Sequence, residues 1–92
     1  MANERLRQEA ASALATLKNS LKTRQDHPSY GYTKRRIQDE WSYCQGMLAA
    51  WLIATGKWDG AGAVMFTREA IDAVEAEFGF GFSDVSVQVL NC

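Results

Sequence analysis

Proline is all but missing from this sequence: Pro28 is the only one. Long helices are therefore allowed on both sides of it. A break is forced beside it, because the residue before a proline is pushed out of helical geometry. Histidine is as scarce. His27 stands alone, with only Asp26 and Ser29 near it in sequence, so no set of acid, base and nucleophile can be assembled. The two cysteines, Cys44 and Cys92, are far apart and in no C-x-x-C pattern, which excludes a disulfide framework and a cysteine zinc site. The longest fully apolar run, MLAAWLIA at 47–54, is too short to span a bilayer. The opening MANERLRQEA has no signal-peptide core. A reduced, cytoplasmic protein with no membrane contact is expected. The glycine-rich GKWDGAG at 56–62 lacks the G-K-[ST] ending of a phosphate loop, and no clear strand precedes it. No catalytic residue, cofactor or metal is expected, and the chain is read as a non-enzyme.

What is present is a helical pattern and an uneven charge. A chain of 92 residues is one domain, 1–92. Leu6, Ala10, Ala13, Leu14, Leu17 and Leu21 recur at three- and four-residue steps, which predicts a first helix over about 3–24 with one narrow apolar stripe. Ile37, Trp41, Cys44, Leu48, Trp51 and Thr55 form a seam at the same steps and predict a second helix over about 33–55. Thr33 is its expected N-cap and Gly56 its stop. Tyr43, Met47, Ala50 and Ala54 make a second stripe about 100° round. The second helix is therefore read as central, with the first antiparallel along one side. The C-terminal segment or another subunit covers the other.

Further along, AVMF at 63–66 reads as a short buried strand, and 67–78 as a third helix with Ile71, Val74 and Phe78 inward. Val85, Val87 and Val89 alternate with Ser86 and Gln88, which predicts a strand over about 84–90. Phe78, Phe80 and Phe82 would point to one side of an extended FGFGF. The expected class is mainly α, formally α+β: a long antiparallel helical hairpin, a short third helix, and one or two short C-terminal strands. The wide apolar arc and the lone valine strand need more cover than the chain supplies, so a homodimer is expected.

Charge then locates a candidate site. Residues 1–36 hold eight Lys and Arg against three acids, a net of +5. Residues 37–92 hold two against eight, a net of −6. The basic half ends in HPSYGYTKRR, where Lys34, Arg35 and Arg36 open the second helix. Cations at a helix start oppose the macrodipole by ~0.3–1 kcal/mol each. A hairpin would gather them with Lys22, Arg24, His27, Tyr30 and Tyr32. Cations beside aromatic rings suit a protein hot spot or stacked bases. The plainer alternative is a solvated surface, with Arg35–Asp39 and Arg36–Glu40 pairs worth ~0.2–0.5 kcal/mol each. Trp58, in the glycine-rich connection, is either a plug on the core or an exposed anchor, and is counted with the partner-binding residues. Glu69, Asp72, Glu75 and Glu77 read as a solvated acidic face that could meet a basic partner. Cys44 falls on the inward seam and reads as inert packing.

The function these features suggest is binding. The expectation is a small regulator or inhibitor that occludes or bridges a macromolecular partner, most simply a protein. Compact chains of this kind include the anti-defence proteins of phages and mobile elements. The alternative is a nucleic-acid-binding module that uses the basic hairpin end.

Overall fold

A computed structural model describes residues 2–60 and 66–92. It contains α1 (Ala2–Asp26), α2 (Lys34–Ala54), α3 (Arg68–Phe78) and α4 (Phe82–Asn91). About 78% of the chain described is helical, and no strand occurs among the described residues. α1 and α2 form the hairpin and share the largest interface, while α3 and α4 each pack on α2 and touch one another.

The core follows the two periodic seams. Ala10, Ala13, Leu14 and Leu17 of α1 are buried against Ile37, Trp41, Cys44, Leu48, Trp51 and Leu52 of α2. Ser20 continues the α1 stripe and is buried with it. α1 runs on to Asp26, and the His27 N–H closes its last turn on the Thr23 carbonyl at 2.7 Å. Pro28 follows and the chain reverses. Thr33 caps α2, its Oγ1 accepting from the Arg36 N–H at 3.1 Å. At the other end of α2 the Gly56 N–H donates to Ile53 O and the Lys57 N–H to Leu52 O. This is a Schellman closure, and it needs the positive φ of 71° that Gly56 supplies.

The expected α+β class is corrected to an all-helical bundle, because the 84–90 segment lies within α4. Its valines satisfy two periods at once. Phe82, Val85, Val89 and Cys92 are spaced by three, four and three, which is one helical face. Val85 and Val89 are buried on it, whereas Val87 is 53% exposed. No partner strand is present among the described residues, so a valine strand would have left its backbone groups unpaired. The helix satisfies them locally. A carboxylate from α3 also starts it: Glu75 Oε2 accepts from the Phe82 N–H at 2.7 Å, where the N-cap Gly81 offers no side chain. The strand expected at 63–66 falls mainly outside the described residues. Phe66 is in neither helix nor strand and packs on the core.

The phenylalanines of FGFGF divide between elements instead of lining an extended run. Phe78 ends α3 and meets Trp51 edge-on at 5.2 Å. Phe82 opens α4 and lies 5.1 Å from Trp41. Phe80 sits between them, under the Lys18 ammonium at 5.7 Å. These rings bind α3 and α4 to one side of α2. An Arg7–Glu77 ion pair at 2.7 Å ties α3 to the start of α1.

Candidate partner-binding surface at the hairpin end

The end of α1, the turn and the start of α2 form one ordered unit. Arg24 is half-buried and its Nη1 donates to the Tyr32 carbonyl at 2.7 Å. That bond ties the end of the first helix to the entry of the second. Within the turn, the Tyr30 N–H donates to His27 O and the Thr33 N–H to Gly31 O. Gly31 takes a φ of 81°, a left-handed conformation that suits glycine.

Two ring systems decorate this frame. His27 and Tyr30 stack with centroids 4.6 Å apart and planes 12° from parallel. Both are exposed, Tyr30 to 63%, so a flat aromatic surface faces solvent. On the other side of the turn the Arg36 guanidinium lies 4.1 Å from the centre of the Tyr32 ring. Arg36 also reaches Glu40, its Nε 3.6 Å from Oε1.

The three cations of the first turn therefore differ. Arg36 is held by a ring and a carboxylate. Lys34 and Arg35 are exposed and have no ion-pair partner among the described residues. The expected Arg35–Asp39 pair is not formed. Both side chains line the same shallow groove of about 490 Å³ with Ala13, Thr16 and Tyr43, yet Arg35 stays open.

A second concavity adjoins the turn. It is a cleft of about 1000 Å³ between the last turns of α1 and the end of α4. Lys18, Lys22, Arg24 and the acid Asp26 line it opposite Gln88, Asn91 and Cys92. The sequence placed Lys22 near the cluster, but the cleft could not be foreseen, since its far wall is the segment read as a strand.

Trp58 is not part of this surface. It follows the far end of α2, about 30 Å along the helix from Lys34 at 1.5 Å per residue. It is 9% exposed and meets Phe66 edge-on at 4.9 Å, so it is a core plug and not an anchor. Its indole N–H has no acceptor among the described residues, and a buried donor without one costs stability. The acidic third helix is also less free than its sequence implied. Glu77 pairs with Arg7, Asp72 with Arg68, and Glu75 caps α4.

Burial pushes the Cys44 thiol up to about 11, so it is protonated and inert. Among the described residues no group of three His, Cys, Asp or Glu side chains could hold a metal ion, and no helix is long and apolar enough to cross a membrane. No family model matches the chain, and neither a curated protein nor a solved structure does.

Proposed function

We propose that this protein acts by binding, as a small non-enzymatic regulator or inhibitor that occludes or bridges a partner protein through the hairpin end. One observation carries the reading. Lys34 and Arg35 stand exposed and unpaired in the first turn of α2, where no acid offsets them. They oppose the dipole of their own helix and gain nothing inside the chain. An acidic partner surface would supply what is missing. The exposed Tyr30 ring, in the turn that precedes them, adds flat, rigid contact area of the kind that dominates protein hot spots. The Arg24 bond to the Tyr32 carbonyl holds the turn in shape before binding, which lowers the ordering cost of association.

A second reading rests on the cleft. Lys18, Lys22 and Arg24 line a groove beside the His27–Tyr30 stack, and single-stranded nucleic acid is bound by such cationic grooves with stacking rings. One experiment separates the two. The tagged protein and its Lys34→Gln/Arg35→Gln variant are used to capture partners from source lysate, with and without nuclease. A protein retained after nuclease treatment and lost with the variant is the expected result. Capture that disappears with nuclease, and weakens steeply with salt through counterion release, would replace it with the nucleic-acid reading. Equal capture by both chains would end the assignment of this surface.

A further inference from the structure

The central helix has one side that the described residues do not cover. α1 lies along one flank of α2, and α3 with α4 lies along the other. Between them Asp39, Ser42, Tyr43, Gly46 and Ile53 face solvent. Two of these are large and apolar: Tyr43 is 63% exposed and Ile53 52%. They belong to one strip, since steps of three and four residues share a helix face.

Gly46 sits in the middle of that strip, and nothing among the described residues accounts for it. Its φ is negative, so the backbone does not require glycine. No atom of the described residues lies within 4 Å of where a Cβ would stand, so their packing does not require it either. Glycine in a helix interior weakens the helix. It does allow another helix to come close, because the separation of packed helices is set by the side chains at the crossing point.

The charges of α2 say which helix fits. Its first turn carries three cations and no acid, and its last turn carries no base. Its positive pole is thus reinforced and its negative pole left without a basic residue in that turn. Lys57 and Asp59, which follow, cancel in formal charge. A second α2 packed antiparallel sets each positive pole beside the other copy's negative pole. With the two-fold axis at Gly46, residue 36 of one copy falls opposite residue 56 of the other, so the cations meet the Thr55–Gly56 end.

From these observations we infer that the protein forms a two-fold homodimer in which two α2 helices pack antiparallel about Gly46. The contact is isologous and closes on itself. It leaves the His27–Tyr30 turn open but draws on the same first-turn cations as the partner reading above, and Tyr43→Glu, which leaves those cations in place, tells the two apart.

Sedimentation over a wide concentration range tests it. The native chain should sediment at twice its 10.3 kDa mass. Gly46→Leu fills space that is empty in the single chain, so helicity by circular dichroism should hold while dissociation becomes easier by at least about tenfold. Tyr43→Glu, at an exposed position, should do the same and decides the matter should Gly46→Leu misfold. Added salt should weaken the dimer, and Tyr30→Ala should leave it unchanged. A monomer at every concentration, growth beyond a dimer, or a dimer indifferent to both α2 variants would each overturn the inference.

Discussion

Replacing Lys34 and Arg35 with glutamine should stabilise the protein. Both side chains are exposed and unpaired at the start of α2, so little is lost with them. Glutamine matches lysine and arginine in helix propensity, and that contribution cancels. What remains is relief of two cations against the positive pole, ~0.3–1 kcal/mol each, with exposure favouring the lower end. A total near ~1 kcal/mol raises the midpoint of a domain this size by about 4–8 °C. Arg36 is the internal control. It lies over Tyr32 and beside Glu40, so Arg36→Gln should give no gain and a small loss. Thermal melts at low salt and at 1 M salt, run at protein concentrations low enough for the chain to be monomeric so that association does not enter, make the measurement. At 1 M the screening length falls to about 3 Å and the gain should largely vanish. Destabilisation of the double variant at low salt, or a gain that salt leaves untouched, would refute the electrostatic argument.

Other changes test the packing. Leu48→Ala, at a fully buried position on the α1–α2 seam, should cost ~2–5 kcal/mol in a urea melt. Val89→Ala should cost roughly 1–3 kcal/mol through lost burial. Val87→Ala should be close to neutral, since Val87 is 53% exposed; equal losses at the two sites would argue against α4. Ellman's reagent should label Cys92 in the native protein and reach Cys44 only in denaturant. Cys44 also gives a pH dependence: its folded value is raised from 9.0 to about 11. Its contribution is therefore whole below pH 9 and is lost as pH rises towards 11, at up to ~1.4 kcal/mol per unit. Cys44→Ala should flatten that part of the stability profile.

Legibility followed the length of the pattern. The apolar stripes of α1 and α2 run for 16 and 19 residues, and the spans read from them, about 3–24 and 33–55, lie within two residues of Ala2–Asp26 and Lys34–Ala54. The valine segment offered only eight. Over so short a run a period of two and a period of 3.6 can both be drawn. The choice was made by a side chain seven residues upstream, Glu75, which no local pattern reveals. The candidate site was readable in part. The capping threonine and the proline turn place Lys34, Arg35 and Arg36 together. Which cation stays unpaired depended on rotamers, and Trp58 depended on where α2 finishes.

The bond from Glu75 to the start of α4 makes two helices one unit of folding. α4 has ten residues, fewer than the ~12–15 an isolated helix needs to persist in water. Its first turn borrows an acceptor from α3, and its buried face borrows the rings on α2. α4 therefore has no independent existence: when α3 unravels, the cap goes with it. In amide exchange the two should open together as a single foldon, at a lower free energy than the α1–α2 hairpin. A segment with alternating valines is then briefly released into solvent. The helix that replaces the expected strand is kept a helix by its neighbours, and the basic cleft beside the turn lasts only as long as they hold it.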